Sequence, residues 1–141
     1  SCPHTWLNNC GGSIGFGMPV AIGAATACPD QKVIALEGDG SAMYTVQSLW
    51  TMARENLDIV VLIFANQSYK ILQGELTNVG VTNPGKSALE MLSLKDPSLD
   101  WVSVSKGMGV DGVRVDNIED LVKNFKHGLK ENGPFLIEVM I

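Results

Sequence analysis

A chain of 141 residues, 45% of them hydrophobic, can enclose one core and not two, so residues 1–141 read as a single domain. A net charge of −5 and a pI near 4.8, with ten Lys and Arg scattered along the chain, exclude a basic face for nucleic acid. The longest apolar stretch, Ile59–Ala65, falls far short of the roughly 20 residues of a membrane helix, so the expectation is a cytoplasmic protein without a membrane partner.

The start, Ser-Cys-Pro-His-Thr-Trp, has no initiator Met and no charged leader with an apolar core, and suggests a C-terminal piece of a longer chain. Cys2, Cys10 and Cys28 are odd in number and lack paired zinc spacing, which points to reduced thiols without a function. The glycine-rich residues 11–17 run into residues 19–28, whose small apolar side chains predict a closely packed helix opened by Pro19 and stopped at Pro29-Asp30. Residues 33–37 form a short apolar run that predicts a buried strand feeding Gly38-Asp39-Gly40-Ser41.

From Ala42 the spacing becomes helical, with Ala42, Val46, Leu49, Trp50 and Ala53 on one face, ending near Glu55-Asn56. Ile59–Ala65 is β-branched and apolar throughout, as a central parallel strand covered on both faces should be, and it ends in the polar loop Asn66-Gln67-Ser68. Residues 77–94 read as a mobile loop with a short helical piece. Beyond it the pattern predicts a helix over 100–108, a strand over 112–115, a helix over 118–131 and a strand over 135–141. Such alternation predicts an α/β fold: an open, mostly parallel sheet with helices on both faces and ligands at the carboxyl ends of its strands.

Gly38-Asp39-Gly40-Ser41 puts a carboxylate between two glycines, ahead of amides that open a helix. On its own, Gly-Asp-Gly is common turn chemistry. Asn66, however, follows Asp39 by 27 positions across a helix and a buried strand, which brings two parallel strand ends together. One Asp, one amide oxygen and a carbonyl at Ser68 would suit Mg²⁺, which takes oxygen ligands and shares them with phosphates and water.

Gly38-Asp39-Gly40-Ser41 through Asn66 resembles the thiamine diphosphate motif, a Gly-Asp-Gly followed some 25 to 30 residues later by Asn. Upstream, Gly11-Gly12-Ser13-Ile14-Gly15-Phe16-Gly17-Met18-Pro19 resembles the segment that cradles the aminopyrimidine ring, so the similarity covers essentially the whole chain. The resemblance implies the diphosphate-binding domain shared by acetolactate synthase, benzoylformate decarboxylase and pyruvate decarboxylase. It implies that Asp39, the Asn66 side chain and the Ser68 carbonyl hold Mg²⁺, while Gly38 shapes the turn and backbone groups of Gly40, Ser41 and Tyr69 approach the diphosphate. The Gly12 carbonyl and Ile14 N–H would bond the aminopyrimidine, with the Ile14 side chain beneath the cofactor to enforce its bend.

Two positions depart from that pattern: Ala65 stands where a second Asn is common, and Lys70 where Gly often follows the Tyr. Lys70, Leu72 and Glu75 fall where related enzymes place a helix bordering the substrate, and a solvated helix face is the competing reading. The resemblance places no catalytic residue in this chain, because the activating Glu comes from a pyrimidine domain reached across a dimer interface. By the same reasoning the chain alone would be inert and bind cofactor weakly, and FAD, where a full-length relative uses it, would not bind here. The expected assembly is a homodimer or homotetramer acting on a 2-oxo acid, most like acetolactate synthase.

The alternatives are a benzoylformate or other 2-oxo acid decarboxylase, the small subunit of a two-chain decarboxylase, and a non-catalytic module for a phosphate ligand or partner protein. His4 and His127 lack metal-ligand spacing and read as exposed or structural. Trp6, Trp50 and Trp101 read as core or interface aromatics, and Gly107-Met108-Gly109 as a turn before a strand.

Overall fold

A segment that is apolar at every position offers both faces to nonpolar neighbours and belongs inside a parallel sheet. In the computed structural model, which describes residues 3–141, that is the place of the second strand. The sheet has four strands, β1 (Val33–Gly38), β2 (Ile59–Ala65), β3 (Asp111–Val115) and β4 (Phe135–Met140), in the order β1-β2-β4-β3. Every pairing is parallel. The α/β architecture expected from the alternation of elements is therefore the one observed, and Ser1 and Cys2 lie outside the described residues.

The two faces of β2 are buried in different cores. Ile59, Val61 and Ile63 join Met18, Ala21, Leu49, Met52 and Trp101 on one side. Val60 and Leu62 join Ile137 and Val139, against Leu121 and Phe125, on the other. At about 1.5–3 kcal/mol for each fully buried Val, Leu or Ile, β2 is the principal anchor of the fold. Helices α1 (Gly17–Ala27), α3 (Ser48–Arg54) and α6 (Trp101–Gly107) cover the first face, and α7 (Ile118–Gly128) covers the second. Gly128 lets α7 approach closely, because a Cβ there would lie 2.9 Å from the Phe135 ring.

Several boundaries differ from those expected. The first helix starts at Gly17, so Pro19 sits inside its first turn, where a missing N–H costs nothing. The helix expected from Ala42 is three pieces: α2 (Asp39–Ala42), a 3-10 turn (Met43–Thr45) and α3. Three residues at 120° rather than 100° each rotate the helical phase by about 60°. Leu49 and Met52 consequently face the core, while Trp50, expected on the packed face, is 52% exposed with the Arg54 guanidinium 5.2 Å from its ring centroid.

The helix expected around Lys70, Leu72 and Glu75 is α4 (Lys70–Asn78), and the short helical piece expected within residues 77–94 is α5 (Lys86–Met91). Neither buries a residue, and Ile71, Val79 and Met91 are each more than two-thirds exposed. Of the three Trp read as core or interface aromatics, Trp101 is in the core and Trp6 and Trp50 are at the surface. Gly109, at φ +84°, makes the expected turn before β3. Among the described residues no helix is long and apolar enough to cross a membrane.

Candidate functional site

Gly38 pairs with Phe64 at the last step of the β1–β2 register, so the two chains leave the sheet side by side. Asp39 follows one strand and Asn66 the other. The Asp39 carboxylate turns across the gap: Oδ2 accepts the Gln67 N–H at 2.6 Å and Oδ1 accepts the Gly40 N–H at 2.9 Å. Only 2% of Asp39 is exposed, and among the described residues no Lys, Arg or His forms an ion pair with it. Burial pushes its pKa above the usual carboxylate value against the opposing pull of the Gln67 and Gly40 amides.

The loop after β2 is built to present oxygen atoms. Asn66 Oδ1 accepts the Ser68 N–H at 2.9 Å, and Gln67 takes a left-handed conformation at φ +55°. From outside, residues 92–94 brace this loop, with Tyr69 N–H donating to Leu92 O and Leu94 N–H to Gln67 O, each at 2.9 Å. The Ser68 hydroxyl donates to Leu92 O and accepts from Gln73 Nε2, which leaves its backbone carbonyl as the group to consider for a metal. The Tyr69 ring lies against Gly40, where a Cβ would come within 2.7 Å of it.

Together these residues line a half-open cleft of about 210 Å³. Gly38, Asp39, Gly40 and Ser41 form one wall, Asn66, Ser68 and Tyr69 a second, and Ile14 closes it from the glycine-rich loop. Eight of the nine residues singled out from the sequence thus meet at one place. Gly12 does not line the cleft; it stands two residues before Ile14 on the same loop, at φ +65° and exposed. Lys70 and Leu72 border the cleft from α4, while Glu75 is outside it and accepts from Asn78 Nδ2 at 3.1 Å.

Sequence reasoning missed the residues that join the two walls. Gly15 N–H donates to Ser41 Oγ at 3.1 Å, and the Thr45 hydroxyl donates to Gly15 O at 2.9 Å. Glu37 is buried beneath them, its pKa raised by that burial against the hydrogen bonds from Ser41, Gly17 and Met18. A glutamate within an otherwise apolar strand was the signal that could have flagged it. Elsewhere, His127 Nδ1 lies 3.4 Å from Glu131 and packs edge-on against Phe135, and Cys10 and Cys28 are exposed free thiols. Among the described residues no group of three His, Cys, Asp or Glu could hold a metal ion.

Residues 1–139 match the family described as thiamine pyrophosphate enzyme, C-terminal TPP binding domain. The chain is 46% identical over 139 residues to a Mycobacterium tuberculosis protein provisionally described as an acetolactate synthase large subunit, IlvX, covering 98% of this chain and 27% of that one. It is 34% identical to benzoylformate decarboxylase of Pseudomonas aeruginosa, covering 97% of this chain and 25% of the relative. The solved thiamine diphosphate-dependent 4-hydroxybenzoylformate decarboxylase of Rhodococcus jostii superposes with a TM-score of 0.80 at 37% identity, covering 90% of this chain and 23% of the other. The chain therefore spans about a quarter of the length of the curated relatives it matches.

Proposed function

This chain belongs to the thiamine pyrophosphate enzymes, as their C-terminal TPP-binding domain, and from that premise we propose that its cleft binds the diphosphate of thiamine diphosphate through Mg²⁺. The observation that carries the reading is Asp39: a buried carboxylate at the junction of two strand ends, fixed by two backbone amides and, among the described residues, without an ion-paired Lys, Arg or His. A divalent cation would supply the missing positive charge. The donor set fits Mg²⁺, since it offers one carboxylate, the Asn66 amide oxygen and the Ser68 carbonyl, all hard oxygens, in place of the His and Cys of a zinc site.

The other residues divide the remaining work. Gly40 and Ser41 lie in the short helix that follows β1 and would bring backbone groups to the diphosphate, and the Tyr69 ring, seated against Gly40, forms the far wall. The exposed Ile14 side chain would support the ring system, with Gly12 carbonyl and Ile14 N–H on the aminopyrimidine. When bound, thiamine diphosphate supplies the electron sink for bond making and breaking next to the carbonyl of a 2-oxo acid. This domain contributes binding and alignment, and the Glu that activates the pyrimidine belongs to a partner domain.

The whole protein would be a 2-oxo acid decarboxylase or carboligase, most like acetolactate synthase given the 46% identical relative, with Lys70 and Leu72 bordering the substrate. A decarboxylase of benzoylformate type is the second reading, favoured by the 37% identical solved structure. Calorimetric titration with thiamine diphosphate, with and without Mg²⁺, on the wild type and Asp39→Ala tests the site. Binding that needs both Mg²⁺ and Asp39 supports it; binding that ignores both overturns it in favour of a non-catalytic phosphate-binding module.

A further inference from the structure

Glu37 is the only charged residue of β1, is 7% exposed, and is not among the residues that line the cleft. Its carboxylate lies against the first turn of α1. A Cβ built on Gly17 would sit 1.6 Å from Glu37 Oε1 and 2.7 Å from its Cδ, so the carboxylate fills the volume that any other residue at position 17 would claim. The Gly17 and Met18 amides and the Ser41 side chain face it and favour its charged form.

The arrangement answers a need of α1. That helix has no side-chain cap and no acidic residue in its first turn, so its leading amides find their acceptor on another element. The Ser41 hydroxyl then extends the connection, since it accepts the Gly15 N–H at 3.1 Å. One side chain thus ties β1, the start of α1 and the Asp39–Ser41 turn together. A carboxylate is costly to bury, and these donors offset part of that cost.

We propose that Glu37 is a positioning residue, a latch that holds the loop carrying Gly12 and Ile14 in register with the Asp39–Ser41 turn before any ligand arrives. A ligand that spans both segments then meets them already aligned, and avoids the entropy of ordering the loop. The part of this that concerns thiamine diphosphate rests on the function proposed above; the alignment of the two segments does not.

The test uses the 141-residue chain with Glu37→Leu, which keeps the volume and removes the acceptor, and Glu37→Gln, which keeps one acceptor oxygen. In the ligand-free protein, hydrogen exchange at the Gly15, Gly17 and Met18 amides is compared with Val61 and Ile63 as an internal reference. The expected result is exchange at least ~10-fold faster in the Leu variant and a smaller change in the Gln variant, the scale of a hydrogen bond to a charged acceptor.

With Mg²⁺ present, Glu37→Leu should weaken thiamine diphosphate about 10-fold and inorganic pyrophosphate, which reaches only the turn, by less than about 2-fold. Unchanged exchange at all three amides, or equal losses for the two ligands, overturns the latch. If neither ligand binds the wild type, the proposed function is what fails, and the exchange comparison decides the latch alone. Should the Leu variant lose protection in β2 as well, Gly17→Ala displaces the carboxylate without deleting it, and unchanged exchange there overturns the proposal.

Discussion

Asp39, just past β1, accepts the backbone N–H of Gln67, just past β2, at 2.6 Å across 28 residues of sequence. One carboxylate oxygen is thereby spent on holding the second loop, and the position of that loop depends on the left-handed backbone of Gln67.

Gln67→Gly should therefore keep the site, because glycine adopts positive φ freely, with stability within about 0.5 kcal/mol of the wild type once the exposed bond to Ser98 is lost. Gln67→Val should lose about 1–2 kcal/mol in urea unfolding, since a β-branched residue resists that region. Mg²⁺-dependent binding of thiamine diphosphate should follow the same division. Equal behaviour of the two variants would show that the conformation at 67 is unimportant.

Gly40→Ala should push the Tyr69 ring off the turn, because the new Cβ would need to sit 2.7 Å from Cδ1 and 3.0 Å from Cε1. Titration should then show Mg²⁺-dependent binding of thiamine diphosphate weakened by about 10-fold, the scale set by a contact misplaced by about 1 Å. Retained affinity would separate the Tyr69 wall from ligand binding.

Arg114 and Glu138 form a two-pronged pair between neighbouring strands, at 2.8 and 3.2 Å, with Glu138 1% exposed and the Arg114 side chain 46% exposed. Arg114→Met should cost about 2 kcal/mol in urea unfolding, below the loss for a fully buried pair because water reaches the Arg114 position. Removing both charges as Arg114→Met with Glu138→Met should recover most of that loss. A double variant as unstable as the single one would mean that packing rather than charge sets the cost.

Asp100 caps α6, accepting the Ser103 N–H at 3.0 Å and its hydroxyl at 2.6 Å. The Ser103 hydroxyl first, then its N–H, hold the carboxyl below its ordinary value. Its stabilisation is then complete above about pH 4, the unfolded value, and fades as pH falls through the lowered folded value. Asp100→Ala should cost about 1 kcal/mol at neutral pH, and the gap from the wild type should narrow in acid. A gap independent of pH would assign the effect to something other than the ionised cap.

Patterns that repeat within a few residues carried most of the fold. Ile59–Ala65 had to be a doubly covered strand because every side chain on it is apolar, and the helix read over 118–131 is observed over Ile118–Gly128, with Leu121 and Phe125 sharing its packed face. Where the expectation failed, the cause was also local but weaker than the pattern. The 3-10 turn at Met43–Thr45 rotates the face that Ala42 had set; α4, which has no buried stripe to mark it, was legible through the family resemblance alone.

The sequence by itself determined that a carboxylate and an amide would stand at the ends of two adjacent parallel strands, because the helix and strand between Asp39 and Asn66 leave little other connection. Only the tertiary structure decided what aligns them. The Gln67 amide on Asp39, the Gly15 amide on Ser41 and the Thr45 hydroxyl on Gly15 bridge 28, 26 and 30 residues. Hydrogen bonds of that span have no period and no composition; they exist because the packed sheet fixes both loops closely enough for single donors and acceptors to meet.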